Sequence, residues 1–216
     1  MKKSTQRALL ASLLAATLGV ALSACAPAVL GGAVIGSMVA LDRRTSGSQL
    51  EDEGIELRSA SRIREQLGDR VHVNVASYNR QVLLTGEVPN DKDKQQVEQI
   101  VSKVDNVRAI VNELAVLGNT TFAQRSSDAL VTGRVKAGMV DAKDLYAGAF
   151  KVVTERGTTY LMGRVSQREA NRASDIARST VGVQKVVRIL EIISEEELQR
   201  LLPQPAPATQ EPKKTE

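Results

Sequence analysis

Val82-Leu83-Leu84-Thr85-Gly86-Glu87-Val88 is matched 77 residues further along the chain by Thr159-Tyr160-Leu161-Met162-Gly163-Arg164-Val165. Apolar residues before this stretch recur at the same offset, and those after it recur at an offset of 76. The slip of one residue falls near Pro89 and Asn90, where a loop tolerates an insertion. An internal repeat of this length indicates two copies of one structural unit.

Both copies predict the order helix, strand, strand, helix, strand. Apolar residues at helical spacing indicate the helices, and alternating valines indicate the strands. Ser166 followed by Glu169 is typical of a capping box at the start of a helix. In the first copy we assign a helix around Ile55, Ala60, Ile63 and Leu67, strands near 71–75 and 82–86, a helix after Asn90 and a strand over 107–117. In the second copy we assign a helix from about 129, strands near 149–154 and 158–162, a helix from 167 and a strand over 183–193.

The composition agrees with two small domains of the α+β class. The chain has 216 residues but only 2 Phe, 3 Tyr and no Trp, so its cores must be aliphatic. A three-stranded sheet packed against two helices on one face would bury a core of this kind. We therefore place the domains at residues 51–117 and 124–194, and the Pro-rich end at 203–216 is predicted to be a disordered tail.

The N-terminal segment has the features of a bacterial secretory signal peptide. Lys2, Lys3 and Arg7 precede an apolar, uncharged run that ends at Leu22-Ser23-Ala24-Cys25. These four residues resemble the lipobox of bacterial lipoproteins, which implies cleavage of residues 1–24 and a diacylglycerol and an N-acyl chain on Cys25. A free thiol at the end of a signal peptide and an uncleaved membrane helix are the alternatives. Cys25 is the only Cys, so no intramolecular disulfide can form.

Charge is distributed unevenly along the predicted mature chain. Residues 26–50 contain a Gly/Ala-rich stretch without periodicity, which we interpret as a flexible tether. Residues 51–117 carry 9 basic and 12 acidic residues, whereas residues 118–194 carry 12 basic and 7 acidic residues. A basic half on a membrane-tethered protein favours an anionic partner, for which lipid headgroups are the nearest candidates.

The order of the elements, with Gly86 and Gly163 ending the second strand of each copy, resembles the BON domain. Together with the lipobox and tether, the two copies resemble the family of dual-BON outer-membrane lipoproteins. Because Ala26 and not Asp follows the Cys, the resemblance favours the outer membrane, on its periplasmic face. It implies a non-enzymatic protein that binds anionic phospholipid through its second domain and supports outer-membrane integrity. It also implies envelope-assembly or cell-division proteins as partners, and neither nucleic acid nor a cofactor apart from the acyl groups.

The resemblance places lipid contact on the first helix of the second domain, over residues 127–137. The family commonly carries Trp at the position of Leu130, and this chain has none. Val131 and Val135 suit the core face, which leaves a neighbouring apolar stripe flanked by cations. In the alternative interpretation, Leu130 belongs to the core and the cations form a solvated face. The predicted phospholipid-binding residues are Leu130, Gly133, Arg134, Lys136 and Ala137.

The remaining polar residues predict no catalytic or metal site. His72, the only His, is interpreted as an exposed strand residue, since neither a second His nor a free thiol is available beside it. Asp91/Asp93 and Asp141/Asp144 are interpreted as helix-capping residues. Gly86 and Gly163 are expected to meet a backbone requirement, either positive φ or close packing against the following helix. A different class of function, a periplasmic adaptor that binds envelope-assembly or cell-wall proteins, also remains open.

Overall fold

The computed structural model describes residues 42–201, which contain both copies of the repeat. The first domain consists of α1 (Ser46–Leu67), β1 (His72–Tyr78), β2 (Gln81–Val88), α2 (Asp91–Ser102), β3 (Ala109–Asn112) and β4 (Ala115–Val116). The second domain consists of α3 (Phe122–Asp141), β5 (Phe150–Glu155), β6 (Thr158–Ser166), α4 (Gln167–Ser179) and β7 (Lys185–Ile193), and α5 (Glu195–Leu201) follows.

The two sheets have the same topology. In each, the first two strands form an antiparallel hairpin, and a helix then crosses over to a last strand that runs parallel to the second. In the first domain the last strand is interrupted, because β3 and β4 pair with successive parts of β2. The predicted α+β class, with a sheet packed against two helices in each domain, is confirmed.

Several elements are longer than the sequence predicts. Helix α1 begins at Ser46, inside the predicted tether, and α3 begins at Phe122, seven residues before the predicted start near 129. Thr45 and Thr121 explain both starts, because each accepts a hydrogen bond from a backbone N–H three residues later. Strand β2 continues past Gly86 to Val88. The acidic run at Glu195 begins a further helix, and this helix buries Leu198.

Each domain has its own core between helices and sheet, and a third core lies between the sheets. The two helix–sheet cores are aliphatic, as the composition predicts. The third core forms where the sheet faces that carry no helices meet, so the helices lie on the outer sides of the paired sheets. It is built from Ala76, Tyr78 and Leu83 of the first domain and Tyr160, Met162 and Ile189 of the second.

A buried Asp supports the hairpin turn in both domains. Asp52 of α1 accepts hydrogen bonds from the backbone N–H groups of Asn79 and Arg80, both at 2.7 Å. Asp128 of α3, the equivalent residue, accepts from Arg156 and Gly157 at 2.9 and 3.0 Å. All four turn residues have positive φ, as expected of a tight two-residue hairpin turn. The carboxylates therefore fix each first helix to its sheet.

The repeated glycines have a backbone role, as predicted, but the neighbour they approach is a strand. Gly86 has φ +110°, and a Cβ there would collide with the carbonyl oxygen of His72. Gly163 has no positive φ, but a Cβ would lie 2.5 Å from the carbonyl oxygen of Ala149. In both cases the close neighbour is the backbone at the start of the adjacent strand. Close packing against the following helix, one of the two predicted alternatives, is therefore not the reason for these glycines. A side chain cannot be accommodated at either position without a shift of backbone.

Candidate functional site

The inner face of α3 is fixed by burial. Val131, Val135 and Met139 lie in the core of the second domain, and Asp128 supports the hairpin turn from the same side. Gly182, in the loop before β7, has φ +101° and passes so close to Val131 that a Cβ would contact it. These contacts set the rotation of the helix about its own axis and so determine which residues face outward.

All five predicted phospholipid-binding residues face outward. Leu130 is 63% exposed, and Gly133, Arg134, Lys136 and Ala137 are also exposed. The alternative in which Leu130 belongs to the core is therefore wrong. Gly133 has open space around its Cα, so nothing covers this part of the helix within the described chain.

Two further apolar residues lie on the same side of α3. Phe122 is 80% exposed and Val140 is 51% exposed. At 100° per residue, both fall within roughly 80° of Leu130 around the helix axis, in the sector that holds Gly133 and Ala137. Sequence reasoning missed them because it started the helix near residue 129; extending the helical wheel back to Thr121 would have found Phe122.

Cations border this apolar sector on both sides. Arg125 and Lys136 lie on one side, Arg134 lies on the other, and all three are exposed. Of the two acidic residues in α3, Asp128 is buried in the turn support and Asp141 is the last residue of the helix. The exposed face of α3 thus combines apolar groups with a positive border. We call it the α3 surface.

A second group of functional side chains lies between the sheets, at the end of the third core. His72 Nδ1 lies 2.9 Å from Glu87 Oε2, which also accepts hydrogen bonds from the backbone N–H and hydroxyl of Thr120. Asn74 donates to Glu155 Oε2 at 2.7 Å. Burial raises the pKa of Glu155; the Asn74 hydrogen bond opposes this rise, and the nearby Glu87 charge adds to it.

The expectation for His72 requires a correction. It lies on a strand, as predicted, but its side chain is only 20% exposed and faces the second domain. The cause is the packing of the two sheets, which covers a strand face that a separate domain would present to solvent. Sequence reasoning about a single domain could not identify Glu155 as its neighbour.

The N-terminal end of the described chain is fastened to both domains. Arg43 pairs with Glu169 of the second domain at 2.6 Å, with side chains 2% and 0% exposed. Arg44 pairs with Asp52 of the first domain at 2.7 Å and lies over the ring of Tyr78. Residues 42–45 were predicted to belong to the flexible tether. The ion pairs of Arg43 and Arg44 show that this part of the predicted tether is held against the folded domains.

These ion pairs help to lower the pKa values of the two carboxyl groups, Glu169 and Asp52. Burial pushes the pKa of Glu169 upward, but hydrogen bonds from Arg43 and Ser166 outweigh it, and the pKa is lowered. Burial of Asp52 also favours a higher pKa. Hydrogen bonds from Ser77, Arg80 and Arg44 outweigh this effect, so the pKa of Asp52 is lowered. Both groups are therefore held as buried carboxylates. Glu169 also completes the predicted capping box with Ser166.

The predicted lipidation site lies outside the described residues. Cys25, the signal peptide, the tether to residue 41 and the tail at 203–216 are outside the described residues. Within residues 42–201, no helix combines the length and apolar character that a membrane span requires.

Comparison with known proteins places this architecture in a family. The BON domain matches residues 56–118 and 127–193, which together make up more than half of the chain. The chain is 38% identical over 186 residues to the outer membrane lipoprotein DolP of Haemophilus influenzae, covering 85% of this chain and 95% of that protein.

Two other similarities are more distant. A 21 kDa hemolysin of Actinobacillus pleuropneumoniae is 30% identical over 155 residues, covering 71% of this chain and 80% of that protein. Among solved structures, CdsD, a structural protein of the type III secretion system of Chlamydia trachomatis, is 14% identical with a TM-score of 0.28. That match covers 71% of this chain and 96% of CdsD.

Proposed function

The chain belongs to the BON-domain family, and from that premise we propose that it is an outer-membrane lipoprotein whose α3 surface binds anionic phospholipid on the periplasmic side. Cys25 carries the acyl groups of the anchor. By holding phospholipid through a folded domain as well as through the anchor, the protein supports the integrity of the outer membrane. Localisation to this membrane is supported by the similarity to the Haemophilus influenzae lipoprotein over nearly its full length.

The observation that carries the proposal is the exposed apolar sector of α3, which cations border on both sides. Phe122, Leu130 and Val140 are of the right kind to enter the interface between headgroups and acyl chains. Each Lys or Arg near an anionic surface contributes about 1 kcal/mol. The family commonly has Trp at position 130, where this chain has Leu. Phe122 provides an exposed aromatic ring instead, at the N-terminal end of the same helix.

A second candidate function is favoured by the opposite helix. Leu50 and Leu57 of α1 are 70% and 73% exposed and lie seven residues apart, on one face of the helix. Acidic and basic side chains flank them, so this surface has mixed charge. These side chains are Glu51, Glu53, Arg58 and Arg64. Such a surface suits a protein partner better than it suits an anionic membrane, and this keeps the role of a periplasmic adaptor for envelope-assembly or cell-wall proteins as the alternative.

Co-sedimentation with vesicles tests the lipid proposal. The chain from Ala26 onward lacks the acylation site and keeps residues 42–201, which make every contact described above. We expect it to bind phosphatidylglycerol or cardiolipin vesicles but not phosphatidylcholine vesicles, and to bind less at high salt because salt screens exposed charges. Leu130→Glu and Arg134→Glu are both expected to weaken binding.

Leu57→Glu is the matched control, because it adds the same charge at an exposed leucine of the other domain. It should leave vesicle binding unchanged. Loss of binding in all three variants would point to general charge effects, and no binding by the folded wild-type chain would reject the proposal. The anchor is tested separately: incorporation of labelled palmitate in cells should be lost in Cys25→Ser.

A further inference from the structure

Three side chains with metal-ligating groups meet between the two domains. His72 and Glu87 are directly opposite each other in the β1–β2 register, so both project from the same face of the first sheet. Glu155 ends β5 of the second sheet, which packs against that face. One ligand atom from each residue lies within 4.8 Å of the other two. We call these three residues the seam cluster.

Glu87 gives the strongest indication that the seam cluster holds a ligand. It is 0% exposed, and three hydrogen bonds from His72 and Thr120 all reach its Oε2 atom. Its other oxygen, Oε1, is buried and accepts no hydrogen bond from any described residue. The nearest cation, Arg156 Nη1, is 3.7 Å away, beyond hydrogen-bond distance. A buried carboxylate oxygen without a partner is costly and uncommon in native structures.

Glu155 adds a second carboxylate to the same space. It is 7% exposed, and Asn74 is its hydrogen-bond donor in the described structure. Two buried carboxylates side by side repel each other. Arg156 lies 3.7 Å from Glu87, and His72, which is charged only when protonated, lies 2.9 Å from it. A cation between Glu87 and Glu155 would remove this repulsion and supply the missing partner of Oε1.

We propose that His72, Glu87 and Glu155 bind one divalent transition-metal ion, with Zn²⁺ as the best match. A set of one imidazole and two carboxylates suits Zn²⁺, whereas Ca²⁺ and Mg²⁺ prefer oxygen ligands alone. Ligands about 2.1 Å from tetrahedral zinc lie about 3.4 Å apart, so a small inward movement of the three side chains forms the site. The fourth position is left for water.

Such an ion would join the two domains. His72 and Glu87 belong to the first domain and Glu155 to the second, so a metal bond to all three crosses the boundary between the sheets. Since the site exists only when the domains are packed together, binding of the metal stabilises the packed arrangement. The sequence gives no sign of this site, because His72 has neither a second His nor a thiol near it and its partners are carboxylates from two domains.

Calorimetric titration tests the proposal on the chelator-treated chain from Ala26 onward. This chain contains no Cys, and His72 is its only imidazole, so other strong zinc sites are absent from its sequence. We expect one Zn²⁺ per chain and a rise in the thermal unfolding temperature on binding. The NMR signals of the His72 ring should shift on addition of zinc, and Ca²⁺ and Mg²⁺ should not reproduce the effect.

The variants distinguish the seam cluster from adventitious surface binding. His72→Gln and Glu155→Gln are each expected to weaken zinc binding about tenfold or more. Glu53→Gln, at an exposed position of α1, is the control and should bind like wild type. Glu87→Gln is less informative because Glu87 also holds Thr120. No zinc binding, or binding that His72→Gln and Glu155→Gln leave unchanged, overturns the proposal.

Discussion

Helix α1 of the first domain and helix α3 of the second domain can be aligned residue by residue along the repeat, with Asp52 matching Asp128. The inner faces of the two helices are alike, because each buries aliphatic residues and each supports a hairpin turn. On their outer faces they differ. Helix α1 carries glutamates beside arginines, whereas α3 exposes basic residues and no acidic residue in its middle turns. The residues of α1 include Glu51, Glu53, Glu56, Arg58, Arg62 and Arg64, and those of α3 are Arg125, Arg134 and Lys136.

This comparison separates residues that maintain the fold from residues that give a domain its role. Buried positions mostly keep their residue type, as Asp52 and Asp128 do. An exception is Ser59, which is buried in α1 where α3 has Val135.

Several exposed positions differ in charge, such as Glu53, where α3 has Ala129, although Arg58 and Arg134 match. The repeat therefore identifies candidate binding surfaces by their differences, and the α3 surface is the largest of these differences on the first helices.

The largest effect is expected from the turn supports. Asp52→Ala should lower the free energy of unfolding by about 4 kcal/mol. It leaves the backbone N–H groups of the hairpin turn without their acceptor and removes one of the two carboxylates that pair with Arg44, the other being Asp42. Asp128→Ala should lower the free energy of unfolding by about 3 kcal/mol, because two turn N–H groups lose their acceptor. The effect is smaller than that of Asp52→Ala because no arginine in the described part of the chain pairs with Asp128. Urea denaturation measures both. Glu53→Ala, exposed on α1, should change stability by less than about 0.5 kcal/mol; equal effects in all three would contradict a special role for the buried acids.

A smaller effect is expected from acidification, and it should involve both domains. The pKa values of Asp52 and Glu169 are lowered in the folded protein. The stability that they contribute is therefore complete above their unfolded pKa values and is lost as the pH falls through the folded ones. Urea denaturation at a series of pH values should show this decline. Asp52→Asn should be less stable at neutral pH but decline less on acidification; a parallel decline would contradict the assignment.

The smallest effect on stability is expected at the outer faces. Arg134→Ala on α3 and Arg58→Ala, its counterpart on α1, should each change the free energy of unfolding by less than about 0.5 kcal/mol. Their effects on anionic vesicles should differ. Arg134→Ala should weaken binding about fivefold, since one cation near the surface is worth about 1 kcal/mol, and Arg58→Ala should not. Equal weakening in both would show that the two helices do not differ in lipid contact.

The sequence predicts the features that depend on neighbours in the chain. Periodicity placed the strands and the aliphatic cores, and the Ser166 capping box formed as predicted. The repeat also placed Gly86 and Gly163 at positions with a backbone requirement. The orientation of α3 follows from Val131 and Val135, so the outward position of Leu130 could be predicted as well.

Features that depend on distant parts of the chain could not be predicted in the same way. The ion pair of Arg43 with Glu169 and the meeting of His72 with Glu155 depend on how the two domains pack. One local signal did exist: Val82-Leu83-Leu84 and Tyr160-Leu161-Met162 are continuous apolar runs. Such runs are typical of strands buried on both faces. The recurrence of Asp52 and Asp128 at an offset of 76 was a second signal for the turn supports.

Arg43 and Arg44 also determine how the protein bears mechanical load. They are adjacent in the chain, yet one is held by Glu169 of the second domain and the other by Asp52 of the first. A pull from the N-terminal side therefore reaches both domains at their boundary and is shared between two buried ion pairs before it can peel α1 from its sheet. Tension on the N-terminal segment would thus load both domains and not α1 alone.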